Sequence, residues 1–216
     1  MSKEVKAINK MIRTSSQKLN LIVKDLDFIT KLETGDSNLR KSNFDVVDLI
    51  NNSIEMLEIS AKKRNIKLMI EYENNPPINV HADKEKIEQV IINLIENSIK
   101  YGRENGTTEI VVQDLVENKI IVRVTDNGIG VKENHIDRLF ERFYRVDQSG
   151  SRSSGGSGLG LAIVKHIVDA HDEKIYVRLE KPKVEGAAGS AANTLPTDIK
   201  FKIPTILKPR NPDEEL

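Results

Sequence analysis

The sequence predicts an α+β domain preceded by one long helix, and three observations carry that reading. Residues 3–33 repeat apolar side chains at spacings of three and four without a break. From Asp45 to Ile203, amphipathic helical stretches are interspersed with short alternating strands. Among them lies Gly155-Gly156-Ser157-Gly158-Leu159-Gly160-Leu161, a glycine-rich run that feeds straight into a helical pattern.

The first helix places Val5, Ile8, Ile12, Ser15, Leu19, Ile22, Leu26 and Ile29 on a heptad seam. Met11, Val23, Phe28 and Leu32 widen the stripe, so a helical bundle fits better than a two-stranded coil. Such a stripe needs another helix, a second copy or the following domain to cover it. Gly35 then ends the helix, and the turn-rich stretch that follows marks the best domain boundary. The expected organisation is a helix at 1–35, a linker at 36–43, a domain at 44–206 and a disordered tail at 207–216.

Within the domain, Asp45 caps a second helix with Val47, Ile50, Ile54, Leu57 and Ala61 on one face. Strands follow at 66–72 and 78–82, and Asp83 opens a third helix that reaches Tyr101. A hairpin is expected at 109–125, turning at Glu117-Asn118. The last strands are expected at 174–179 and 198–203. Between them, residues 184–195 are small, polar and low in complexity, as in a floppy insertion.

Composition narrows the function. The 33 basic and 33 acidic residues balance, so no general attraction to nucleic acid or anionic lipid is implied, and any phosphate site must be local. The absence of Cys excludes a disulfide framework and a Cys-ligated zinc site. No apolar run approaches a membrane span and no signal peptide opens the chain, so the expectation is a soluble, cytoplasmic-type protein.

Four stretches carry chemistry. The glycine-rich run leads into a helix N-terminus, whose free N–H groups and dipole suit a phosphate, although such a run also serves as a plain flexible connection. It matches neither the P-loop nor the Rossmann pattern. On the third helix, Gln89, Asn93, Glu96, Asn97 and Lys100 share one face opposite an apolar one. Asn is a poor helix former, and the carboxamides of Asn93 and Asn97 suit Mg²⁺, although the row also reads as a polar surface stripe. Asp126-Asn127-Gly128-Ile129-Gly130 follows a strand directly. A buried Asp there accepts from the exocyclic amine of adenine, whereas in isolation the motif reads as a strand-ending turn. Finally, Leu139-Phe140-Glu141-Arg142-Phe143-Tyr144-Arg145 and the Ser/Gly-rich residues 147–154 look like a mobile lid with its anchor. Phe140 and Phe143 serve equally well as core anchors.

Taken in chain order, with the amide helix first, then the Asp126 turn, the aromatic–arginine lid and the glycine-rich run, the stretches resemble the ATP-binding domain of sensor histidine kinases, in the GHKL superfamily of DNA gyrase, MutL and related ATPases. The N box resembles Asn93 to Tyr101 and the first G box Asp126 to Gly130. The F box resembles Phe140 to Arg145, and the second G box Gly156 to Leu161. The resemblance covers residues 44–205 and implies a two-layer sandwich, a mixed sheet with helices on one face. It implies ATP and Mg²⁺ as ligands. Asn97 would ligate the metal, with Asn93 beside it near the phosphates. Lys100 and Tyr101 would contact phosphate and nucleotide, Asp126 the adenine amino group, and Arg145 the γ-phosphate. Gly156, Gly158, Leu159 and Gly160 would offer backbone to the phosphates, and Gly128 and Gly130 would floor the base pocket.

The resemblance extends to 3–33, similar to the second helix of the dimerisation and phosphoacceptor hairpin. The first helix of that hairpin, with its H-E-x-R-T-P box, is missing, and none of His81, His135, His166 and His171 has that context. The chain is therefore expected to bind ATP without phosphorylating itself. Its γ-phosphoryl would pass to a His on a separate hairpin, with a response regulator downstream and a homodimer through 3–33 as a possible assembly. The alternatives are a non-catalytic ATP-binding module that docks a partner through its first helix, and a serine kinase like the anti-sigma relatives. His171-Asp172-Glu173 replaces the family's usual His-Gly-Gly, which leaves the last hairpin open.

Overall fold

The computed structural model describes residues 3–34, 39–72, 77–115, 119–146, 156–179 and 197–204. The turn at 117–118, the run 147–155, the insertion at 184–195 and the tail after 204 lie outside the described residues.

The long helix α1 spans Lys3–Glu33. Its first half carries Val5, Ile8, Met11, Ile12 and Leu19 exposed, while its end is docked, with Ile29 fully buried among the core residues of the domain. Phe28 and Ile22 pack beside it, and the Lys86 ammonium lies 4.1 Å from the centre of the Phe28 ring. The expected break between helix and domain is thus bridged by the same apolar stripe that the heptad pattern revealed. It is bridged again by β1 (Lys41–Asp45), which falls largely inside the expected linker. Nothing in its polar sequence announces β1. It exists because it pairs antiparallel with β3 (Asn79–Asp83) and buries Phe44.

Two aspartates start the next helices. Asp45 accepts from the Val47 N–H at 3.0 Å and opens α2 (Val46–Lys62). Asp83 accepts from the Lys86 N–H at 3.2 Å and opens α3 (Lys84–Tyr101). β2 (Lys67–Tyr72), β4 (Thr107–Leu115), β5 (Lys119–Asp126), β6 (Ile175–Leu179) and β7 (Thr197–Pro204) form one sheet in the order β2-β4-β5-β7-β6. β2 and β4 run parallel and the other pairs antiparallel, giving a mixed sheet.

Alternation decides which face is covered. Ile110, Val112, Ile120, Val122, Val124, Ile199, Phe201 and Ile203 are buried beneath α2, α3 and α4 (Gly160–Ala170). The result is a two-layer α+β fold with the helices on one face, as expected. A short 3-10 helix at Glu133–Arg138 is an addition to the sequence reading.

Candidate functional site

The site is built where the end of α3, the end of β5 and the start of α4 meet. On α3 the apolar face of Ile87, Val90, Ile91, Leu94, Ile95 and Ile99 is buried. This turns Asn93, Asn97 and Lys100 toward the glycine-rich run. A Cβ built on Gly160, the first residue of α4, would stand 3.3 Å from Asn93 Oδ1 and 3.9 Å from Asn97 Nδ2. One on Gly156 would overlap the Lys100 ammonium. Both carboxamides and the cation therefore converge on a helix N-terminus, where unpaired N–H groups and the positive end of the dipole favour an anion.

A clamp that the sequence reading missed holds the end of α3. The guanidinium of Arg64, in the turn after α2, donates to the carbonyls of Ile99, Lys100 and Gly102, the last at 2.9 Å. A cation at a helix C-terminus satisfies carbonyls with no intrahelical partner, and here it fixes the residues that carry Lys100 and Tyr101. A basic residue far from the motif in sequence leaves no local signal of such a role.

The Asp126-to-Gly130 turn docks on that same end. The Ile129 N–H donates to the Tyr101 carbonyl at 3.1 Å, and a Cβ on Gly128 would stand 2.6 Å from that carbonyl oxygen and 2.9 Å from the Gly102 Cα. Only a glycine fits there. Asp126 accepts from the Gly128 N–H at 2.8 Å, and Gly130 adopts a φ of 68°. Burial pushes the Asp126 carboxyl up to about 6, against the opposing pull of the Gly128 N–H. A carboxyl so displaced by burial, beside a turn of close backbone contacts, makes Asp126 a functional-site candidate.

The lid anchor is fastened to the glycine run. The Phe143 N–H donates to the Gly158 carbonyl at 2.9 Å. Leu139 is buried, whereas Phe143 is 53% exposed and is no core anchor. Arg145 is half-buried at the end of the described lid segment. Leu159 has a fully buried side chain, so only its backbone faces a ligand, and its N–H is engaged by the Ser157 hydroxyl at 3.2 Å. Tyr101 is largely exposed beside Lys100, whose ammonium lies 4.8 Å from the centre of its ring.

Among the described residues, no group of three or more His, Cys, Asp or Glu side chains could hold a metal by itself. The carboxamide side chains of Asn93 and Asn97 beside the α4 N-terminus suit Mg²⁺, which takes few protein groups and completes its shell with phosphate and water.

Residues 82–205 match the family model described as Histidine kinase-, DNA gyrase B-, and HSP90-like ATPase. The chain belongs to this ATPase family. The chain is 36% identical to the sensor protein kinase WalK of Staphylococcus saprophyticus and to that of Staphylococcus epidermidis, over 188 residues in each case. That region is 87% of this chain and 30% of each relative. Among solved structures, the nucleotide-free catalytic domain of histidine kinase ThkA superposes with a TM-score of 0.63 at 28% identity. The match covers 77% of this chain and 96% of that one. Full-length ShkA in complex with AMPPNP matches 96% of this chain and 41% of its own, with a TM-score of 0.79 at 21% identity, a likeness of fold. The domain is thus the histidine-kinase-type ATPase domain, and the matched range contains α3, the Asp126 turn and the glycine-rich run.

Proposed function

We propose that this domain binds Mg-ATP and passes its γ-phosphoryl group to a histidine on a separate phosphoacceptor helix. The observation that carries the reading is the convergence of Asn93, Asn97 and Lys100 on Gly156 and Gly160, with the turn that carries the elevated carboxyl of Asp126 docked on the end of the same helix. Asp126 takes the adenine amino group, and Gly128 and Gly130 let the base lie against the backbone. Lys100 and the α4 N–H groups balance phosphate charge, Tyr101 flanks the nucleotide, and Arg145 reaches the γ-phosphate from the lid. Bound Mg²⁺, held by Asn97, would neutralise phosphate oxygens. Phosphoryl transfer needs positioning and charge stabilisation more than covalent chemistry, so the absence of a nucleophile from this set is no obstacle.

The acceptor lies elsewhere because the four histidines are otherwise committed. His171 is buried, donating from Nδ1 to the Ile167 carbonyl at 2.8 Å and accepting the Asp83 N–H on Nε2 at 3.1 Å. His81 bonds the Asn43 carboxamide, His135 the Tyr144 hydroxyl, and His166 faces Glu33. The exposed apolar seam at the start of α1 supports pairing with an acceptor hairpin or a second copy. One related structure is described as histidine kinase ThkA in complex with response regulator protein TrrA, and we extend a regulator partner to this chain. No described helix is long and apolar enough to cross a membrane, and we place the domain in the cytoplasm. Isothermal titration with ATP plus magnesium tests the site: wild type binds, whereas Asp126→Asn and Asn97→Ala do not. Labelled ATP mixed with a separate histidine-bearing hairpin tests transfer, and no label on the hairpin would reduce the domain to a nucleotide-binding module.

A further inference from the structure

Thr108 is fully buried, and among the described residues its Oγ1 has no hydrogen-bond partner. It ends a column on β4 whose other members, Ile110 and Val112, are apolar and fully buried. Valine would fill the same volume without stranding a hydroxyl, and a stranded hydroxyl costs stability. Its register explains what the hydroxyl faces. Thr108 stands directly opposite Asp126 of β5. Such cross-strand neighbours point to one face with Cβ atoms roughly 5 Å apart, within reach of a hydrogen bond direct or through one water. The adjoining Thr107 N–H donates to Asn127 Oδ1 at 2.8 Å, so the start of β4 is tied to the turn that carries Asp126.

We infer that Thr108 is a positioning residue for base recognition, its hydroxyl donating to the Asp126 carboxylate when a nucleotide fills the site. The inference rests on the nucleotide reading given above. Among the described residues the carboxylate accepts from the Gly128 N–H on Oδ1. A second donor fixes the plane of the group and favours its ionised form, the form that accepts from the 6-amino group of adenine and repels the carbonyl of guanine. No other charge competes for this role. Glu109 and Arg123 alternate onto the opposite face of the sheet, and Lys100 on α3 carries its ammonium to Gly156. Before a nucleotide arrives, burial raises the Asp126 carboxyl and the Gly128 N–H pulls it back down.

Thr108→Val, Thr108→Ser and Asp126→Asn are to be titrated with ATP and GTP from pH 5 to 8, alongside thermal melts without nucleotide. The valine variant should melt no lower than wild type and bind ATP about tenfold more weakly, the scale of a hydrogen bond to a charged group. Its preference for ATP over GTP should shrink, while the pH midpoint of its affinity, set by Asp126 in the empty site, should stay at the wild-type value. Serine should restore both affinity and preference. If the valine variant fails to fold, Thr108→Cys, a weak donor of similar shape, carries the same test. Unchanged affinity and selectivity in Thr108→Val, with binding still lost in Asp126→Asn, would overturn the inference alone. Normal binding by Asp126→Asn would overturn the nucleotide reading beneath it.

Discussion

Phe143 and Gly158 both adopt left-handed backbone, at φ values of 62° and 76°, and the N–H of the first donates to the carbonyl of the second at 2.9 Å. Two separate motifs are joined at this point, the aromatic–arginine anchor and the glycine-rich run. The glycine accepts its conformation freely, whereas the aromatic residue is held in it against ordinary steric preference. A Cβ on Gly158 would stand 2.9 Å from the Phe143 Cα and carbonyl carbon, so neither partner can yield without moving backbone.

Gly158→Ala should therefore destabilise the domain by about 1–2 kcal/mol and weaken ATP binding together, because strain and clash act on one junction. Urea unfolding and calorimetric titration of the same sample measure the two effects. Loss of binding without loss of stability would mean that the clasp is not part of the folded frame.

On the proposed reading Lys100 contributes charge and Asp126 reads the base, so their substitutions should separate by ligand. Lys100→Met should weaken ATP and ADP roughly 10- to 100-fold, the range of hydrogen bonds to charged groups, while adenosine is little affected. Asp126→Asn should weaken all three ligands. Gly156→Ala should behave as a milder Lys100→Met, since the new methyl occupies the place of the ammonium. Equal losses for adenosine and ATP in Lys100→Met would remove the cation from the phosphate site.

Two kinds of contact hold the end of α1 to the domain, and they differ in what their loss should do. Ile29 is fully buried, and Ile29→Ala should cost about 2–4 kcal/mol in a denaturant titration. Glu33 accepts from Arg142 of the lid anchor and faces His166 of α4 at 3.5 Å. It is an exposed ion pair, and Glu33→Gln should leave the unfolding midpoint nearly unchanged. A large shift from Glu33→Gln with little from Ile29→Ala would reverse the account of what docks the helix.

How far the sequence foretold this depends on whether a feature is local. The caps at Asp45 and Asp83, the amphipathic faces of α2 and α3 and the strands at 67–72 and 119–126 follow from spacing alone, and the structure places them within a residue or two. The carboxamide row on α3 and the Asp126 turn were legible because each needs an unusual residue type at a fixed offset. β1 was not, because its polar residues gain strand geometry only from β3. Arg64 and Thr108 were equally silent: one caps a helix 35 residues away, and the other matters through a cross-strand partner 18 positions later. Pairing between distant segments leaves no periodicity to read.

Two buried groups should act oppositely on stability between pH 7.5 and 4. Burial raises Asp126 from 3.8 to about 6. Its contribution to folding is thus full below 3.8 and is lost as pH rises through about 6. Burial lowers His171 from 6.5, so its contribution is present above 6.5 and is lost as pH falls through its depressed value. Protonation there would also abolish the acceptor on Nε2 that the Asp83 N–H uses, and His166, likewise lowered by burial, adds in the same direction. In wild type the gain at Asp126 masks part of the histidine loss. Asp126→Asn keeps an oxygen for the Gly128 N–H but carries no charge. At pH 7.5 it should be more stable than wild type by on the order of 1–3 kcal/mol, at ~1.4 kcal/mol for each tenfold change in proton affinity. That advantage should shrink as pH falls through about 6 and vanish near 3.8, leaving a steeper acid decline than in wild type. Thermal melts across the range, without nucleotide, give the difference curve directly. Because other carboxylates and histidines are common to both proteins, they cancel from it, and a flat difference would show that Asp126 ionises as freely as in the unfolded chain.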